Sequence, residues 1–238
     1  MIYAGILAAG SGARMHRQDL PKPFLRLGSK PIIMHTLEQF YINVQIEKVI
    51  VVAPEDWQQY AGDVINQYDA MSTETFIIAG GVNKTLSIQL ITDHIAQNWG
   101  INEDDILITH DAVRPFVTQR MIDDNIEAAK IHGASSTVMT TNDTIVVSND
   151  GKMLSGVPSK GLMYAEQTPL AFNLEFLAEM FEKAKEKKIL LKNETEIARL
   201  YISQGYSMQI VNGEYSNMKI INPFDLEVAE ALLRERKL

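Results

Sequence analysis

Arg14 closes a run of small residues in LAAGSGARM, and Lys22 follows eight positions later between Pro21 and Pro23. Ala8, Ala9, Gly10 and Gly12 remove side chains, so backbone N–H groups can approach a planar base or a phosphate chain. Arg14 adds a permanent multidentate cation, and Lys22 adds a point charge from a proline-stiffened backbone. Together they could grip a triphosphate and counter charge developing at a phosphorus atom; a Gly-rich turn with surface basic residues is the plain alternative. Two familiar phosphate loops do not fit. A dinucleotide fingerprint needs Gly or Ala where Met15 stands, and its ribose-binding acid is replaced by Lys30-Pro31. No Gly-Lys-Ser/Thr follows the glycines, which excludes a Walker loop.

Two more stretches could do related chemistry. Gly80-Gly81 precedes a helical pattern carrying Lys84 and Ser87, where a helix N-terminus can meet an anion or a nucleobase edge. In HDAVRP, Asp111 follows an apolar strand pattern and is placed to hold Mg²⁺ against phosphate oxygens; it could instead cap the next turn or pair with Arg114.

The elements that must position these residues alternate. IYAGILA, KVIVVA, TFIIAG and DILITH read as strands, each followed by a helical pattern: PIIMHTLEQF, DWQQYAGDVINQY, KTLSIQLITDHIAQNW and TQRMIDDNIEAAKIHG. The expected fold is α/β, with a mostly parallel sheet and helices on both faces, whose ligand lies at the carboxyl ends of strands. AAGSGAR, AGGVNK and HDAVRP occupy three such ends. From about 135 to 168 the pattern changes to short extended pieces with an Asn149-Asp150-Gly151 turn, which predicts a projecting β-arm on a single domain spanning 1–238. The last part predicts helices at 174–188, 194–203 and 225–236, with a strand at 207–212. Met34, Met121, Met139 and Trp57 fall on patterned positions and read as packing residues, and His110 reads as a strand-end hydrogen-bonding residue.

Composition narrows the partners. With 46% hydrophobic and 22% charged residues and no repeat, low-complexity tract or run of like charge, the 238-residue chain is not disordered. The absence of cysteine excludes disulfides, thiol nucleophiles and cysteine-based metal sites, and the five histidines show no HxxxH spacing. A net charge of −8 argues against nucleic acid, yet the first 30 residues carry Arg14, Arg17, Lys22, Arg26 and Lys30 against Asp19 alone, which suits a small anionic ligand. No apolar run is long enough to span a bilayer and the opening run lacks a basic leader, so a soluble cytoplasmic protein is expected.

Taken in order, LAAGSGARM, PKPFL, PIIMHTLEQF, AGG with Ser87, THDAVRPF, DTI, QTP and NMKI with DLEVAE resemble the sugar- and polyol-phosphate cytidylyltransferases over nearly the whole chain. The resemblance implies a Rossmann-like fold, Mg²⁺ dependence and a homodimer whose arms complete each other's sites. It assigns Leu7, Ala8, Ala9, Gly10, Gly12, Gly80, Gly81, Lys84, Ser87 and Ala112 to CTP, Asp111 to the metal, and Arg14 and Lys22 to the transition state. Lys160 and Lys219 fall where the family holds the acceptor's phosphate, Lys160 from the partner's arm, and Thr144 falls where it contacts acceptor or nucleotide. A phosphate oxygen of the polyol phosphate would attack the α-phosphorus of CTP and release pyrophosphate, with no general base required because that phosphate is already ionised.

The residues depart from the family pattern in places. Lys84 and Lys160 replace arginines, so two bidentate forks become point charges. PKPF replaces PKQ, QTPLAF replaces QTPQ, and Glu196 stands for an aspartate. MIYAGILA, THDAVRPF, MYAEQTP and GEYSNMKI look closest to the ribitol 5-phosphate branch, which makes CDP-ribitol for teichoic acid; the methylerythritol 4-phosphate branch tends to HDAARP and a Trp near Tyr164. A catalytically weak CTP-binding module is the alternative that the two lysines suggest.

Overall fold

The computed structural model describes residues 1–9, 20–68 and 74–235. The chain starts with β1 (Ile2–Leu7), then a 3-10 turn at Lys22–Phe24 and a short antiparallel pair, β2 (Arg26–Leu27) and β3 (Lys30–Pro31). It then alternates through α1 (Ile32–Tyr41), β4 (Lys48–Ala53), α2 (Gln58–Tyr68), β5 (Thr75–Ala79), α3 (Lys84–Trp99), β6 (Ile106–Asp111) and α4 (Gln119–His132). The remainder is β7 (Ala134–Thr140), β8 (Tyr164–Asn173), α5 (Leu174–Glu186), α6 (Ile197–Ser203), β9 (Gln209–Asn212) and α7 (Pro223–Glu235).

Seven strands form one sheet in the order β5-β4-β1-β6-β8-β7-β9. All neighbours are parallel except β8, which runs against both β6 and β7. The expected mostly parallel α/β sheet is therefore present. From β1 the chain steps outward through β4 to β5, then returns to lay β6 on the other side of β1. That reversal opens a crevice at the carboxyl ends of β1 and β6, where doubly wound sheets bind ligands.

Apolar residues on both faces of the strands explain the two helical layers. Ala4, Ile6, Val49, Val51, Ile106 and Ile108 pack on Met34, Leu37 and Phe40 of α1, Val64 of α2 and Met121 and Ile122 of α4. The alternate residues Tyr3, Ile50, Val52 and Leu107 pack on Ile88, Ile91 and Ile95 of α3 and Leu177 and Met180 of α5. Trp57, only partly buried, stacks on Phe24. Among the described residues no helix is long and apolar enough to cross a membrane.

The segment expected as an arm divides in two. Its ends are strands of the main sheet, since β7 and β8 pair up to Thr140 and Tyr164. Residues 141–163 carry an isolated Val147–Gly156 bridge and a turn in which the Asp150 carboxylate accepts from the amides of Lys152 and Met153. Val146, Val147, Met153, Leu154, Val157 and Leu162 remain exposed there. The penultimate helix begins later than its pattern suggested, at Ile197 rather than 194, because Glu196 is extended and makes no side-chain cap.

Candidate active site

The crevice is closed at its floor by the register of β1 and β6, which sets Leu7 opposite Asp111 and lets the Ala112 amide donate to the Leu7 carbonyl at 3.1 Å. Asp111 ends β6 and is 7% exposed. Three cations surround its carboxylate: Lys219 Nζ lies 3.0 Å and Arg114 Nε 3.2 Å from Oδ2, and Lys84 Nζ lies 3.9 Å from Oδ1. Burial pushes this carboxyl up, but Lys84, Lys219 and Arg114 outweigh burial and hold it well below the usual carboxylate range. The site therefore holds a permanent carboxylate under an excess of positive charge, a setting for phosphate oxygens.

The backbone around Asp111 is fixed by neighbours far away in sequence. Its amide donates to the Thr168 hydroxyl at 3.1 Å, across the antiparallel β6–β8 pairing. Arg114 Nη1 donates to the Asn217 carbonyl at 2.8 Å, and Asn217 Nδ2 donates to the Thr168 carbonyl at 2.7 Å. His110 lies 2.9 Å from the Thr168 hydroxyl and 3.0 Å from the Arg114 carbonyl. Burial drives its imidazole down to about 4, past the opposing pull of the Arg114 carbonyl and Asp111, so it is neutral at physiological pH.

A second wall comes from β5 and α3. A Cβ added at Gly80 would collide with the Ala9 Cβ and come within 2.9 Å of Val52 Cγ1, so the β5 end can press against the β1 end only as glycine. Gly81 lies as close to α3: its added Cβ would sit 2.5 Å from Leu86 Cβ, and its amide donates to the Ser87 hydroxyl at 3.1 Å. Asn83 caps α3 by accepting from Leu86 N at 2.8 Å, and its Nδ2 donates to the Leu191 carbonyl. Leu7, Ala8, Ala9, Gly80, Gly81, Lys84, Ser87 and Ala112 thus line connected strand ends beside Asp111 and Lys219.

Lys22, Lys160 and Thr144 sit on other segments of the chain. Lys22 sits in its 3-10 turn, whose Phe24 is buried against Trp57 and edge-on to Tyr60 at 5.3 Å. Lys160 and Thr144 are on the exposed stretch 141–163, and Lys160 Nζ donates to the Asn142 carbonyl. Gly10, Gly12 and Arg14 lie outside the described residues. The sequence reading named Arg114 only as a partner of Asp111 and assigned no role to Thr168 or Asn217. Their presence in QTP and NMKI was the available signal, and it needed the β6–β8 register to be interpreted.

Among the described residues no three His, Asp or Glu side chains gather into a ready-made metal cage. A lone ionised carboxylate among cations still suits Mg²⁺, which commonly takes one or two carboxylates and completes its shell with substrate phosphates and water.

Residues 2–235 match the model of the IspD family, 2-C-methyl-D-erythritol 4-phosphate cytidylyltransferase. The chain belongs to the IspD family. As an IspD-family member it is a CTP-dependent cytidylyltransferase, a nucleotidyltransferase enzyme acting with a sugar phosphate. Among solved structures it resembles 4-diphosphocytidyl-2C-methyl-D-erythritol synthase from Anaerococcus prevotii, at 27% identity and TM-score 0.80, covering 98% of this chain and 96% of that one. It also resembles the 2-C-methyl-D-erythritol 4-phosphate cytidylyltransferase of Thermus thermophilus, at 25% identity and TM-score 0.73, covering 98% and 100%. The Francisella tularensis enzyme of the same description, at 23% identity and TM-score 0.77 over 97% and 98%, supports the fold alone.

Proposed function

We infer that this IspD-family member transfers CMP from CTP to ribitol 5-phosphate, releasing pyrophosphate and forming CDP-ribitol, the activated polyol for teichoic acid. The observation that carries the choice of site is the buried, ionised Asp111 ringed by Lys84, Arg114 and Lys219 at the carboxyl ends of parallel strands. In this reading the cytosine and triphosphate lie along Leu7–Ala9, Gly80, Gly81, Ser87 and Ala112. A phosphate oxygen of the acceptor attacks the α-phosphorus, a P–O bond forms, and the bond to the β-phosphate breaks, its electrons leaving with pyrophosphate. The attacking phosphate is already anionic, so neutral His110 is not required as a base. Lys22 and Arg14 meet the charge that grows on the transferring phosphoryl group, and Lys219 holds the acceptor's phosphate. Asp111 is the residue that would hold Mg²⁺, whose chemistry is to neutralise the triphosphate.

The exposed apolar side chains of 141–163 support a homodimer, in which Lys160 and Thr144 of the partner subunit complete the acceptor site. The acceptor itself is chosen from MIYAGILA, THDAVRPF, MYAEQTP and GEYSNMKI. The description of the matched family and the names of its solved relatives favour a second reading, methylerythritol 4-phosphate. Pyrophosphate release by the purified protein with CTP and Mg²⁺ separates them when the two acceptors are compared. Turnover with ribitol 5-phosphate alone is the expected result. Turnover with methylerythritol 4-phosphate alone would replace that acceptor, and CTP binding without turnover of either would make the chain a nucleotide-binding module.

A further inference from the structure

His110 exposes no surface, yet both of its ring nitrogens are engaged. Nε2 lies 3.0 Å from the Arg114 carbonyl, which can only accept, so Nε2 carries the proton. Nδ1 lies 2.9 Å from the Thr168 hydroxyl, which can serve it as donor or acceptor. The same hydroxyl oxygen accepts from the Asp111 amide at 3.1 Å. The links run from the Asp111 amide to Thr168, between Thr168 and His110, and from His110 Nε2 to the Arg114 carbonyl. Asn217 closes the ring, accepting from Arg114 at its carbonyl and donating to the Thr168 carbonyl. The only members that reach the Asp111 carboxylate are Arg114, directly, and the Asn217 segment, through Lys219 two residues on.

We propose that His110 is a positioning residue for CMP transfer: bonded at Nε2 to the Arg114 carbonyl and at Nδ1 to the Thr168 hydroxyl, it fixes Thr168 and Arg114 around Asp111, so that carboxylate, guanidinium and the Lys219 segment meet the substrates in one arrangement. The inference rests on the reading of the Asp111 crevice as the active site. His110 cannot touch CTP or acceptor itself, because none of its surface is accessible. Packing alone would be a different role: its ring also lies 5.3 Å from Phe40, and a leucine could fill that space. Only a hydrogen-bonding role makes leucine worse than glutamine, since a glutamine amide can still donate to the Arg114 carbonyl.

The test uses steady-state pyrophosphate release, with the acceptor the wild type turns over, for His110→Leu, His110→Gln and, as a control of the site, Asp111→Asn. His110→Leu is expected to lower kcat about 10- to 100-fold, the usual cost of losing an outer hydrogen bond that orients a site, with KM for CTP little changed. His110→Gln is expected to recover most of that loss. Nitrogen NMR of the wild type labelled at histidine is expected to find Nε2 of His110 protonated and hydrogen-bonded. A folded His110→Leu protein with wild-type kcat, or a bare Nε2, would overturn the proposal, and the NMR reading stands even if the leucine variant does not fold. Wild-type turnover by Asp111→Asn would instead overturn the site itself.

Discussion

A lysine between two prolines has little freedom in its backbone, and Lys22 stands between Pro21 and Pro23 in a 3-10 turn. Pro21 is held at φ −60°, Phe24 N donates to the Pro21 carbonyl at 3.0 Å, and the Phe24 ring is buried beside Trp57 and Tyr60. The turn is anchored by its aromatic residue. If Lys22 stabilises the transferring phosphoryl group, Lys22→Ala should lower kcat by about 100-fold or more, the ordinary cost of one transition-state donor. A steady-state CTP assay giving a near-normal kcat would remove Lys22 from that role. At this scale the sequence was most informative where charge stands at a strand end. Asp111 could be singled out from ILITHD because an acid after an apolar run is conspicuous. Thr168 could not, since a threonine before a proline has many uses, and its bond to Asp111 depends on a pairing between residues 57 apart.

The alternation of strands and helices carries the same lesson for elements. Periodicity locates the strands, because apolar residues on both faces mark a sheet covered on both sides. It does not state their direction. QTPLAF is as apolar as the parallel strands, and only the structure places it as β8, running against β6 and β7. The expected arm is too long for the same reason, as its ends read as short extended pieces when they are nearly all of β7 and the first half of β8. Gly80 shows how closely the elements approach at the site. Since an added Cβ would meet the Ala9 Cβ and Val52 Cγ1, neither of which is the end of a flexible side chain, Gly80→Ala must separate the ends of β1 and β5. The expected cost is about 1–3 kcal/mol of stability, as for other overpacked sites, together with weaker CTP binding. Urea unfolding and calorimetric titration with CTP measure the two effects, and a variant unchanged in both would mean that these strand ends are not held as tightly as the close approach requires.

For the molecule as a whole, two imidazoles with lowered values contribute to the response to acid, His110 buried and His94 half-buried. His110 lies against Phe40 on one face of the sheet, and His94 lies 5.5 Å from Trp99 and 5.9 Å from Phe76 on the other. Burial lowers both, His110 to about 4 from 6.5. A lowered histidine is neutral in the folded chain and protonated first in the unfolded one. Its contribution is therefore complete above pH 6.5 and is lost as pH falls, for His110 down to about 4, where the folded form also takes the proton. The full loss from His110 is on the order of 3 kcal/mol, and His94 adds in the same direction. Asp111 acts lower on the scale: its carboxyl is held below the ordinary value of 3.8, so the stability it confers persists above that value and disappears only on further acidification. Between pH 6.5 and 4 the histidines therefore add to the loss, alongside carboxylates such as Glu179 and Glu214, which their hydrogen-bond partners hold below the ordinary value of 4.5. Urea unfolding in the presence of a chelator, at neutral pH and at about pH 4.5, should show the wild type losing much of its stability while His110→Gln, which does not titrate, loses less. Equal losses in the two proteins would mean that His110 is not held neutral by burial, and the acid sensitivity would have to come from elsewhere in the fold.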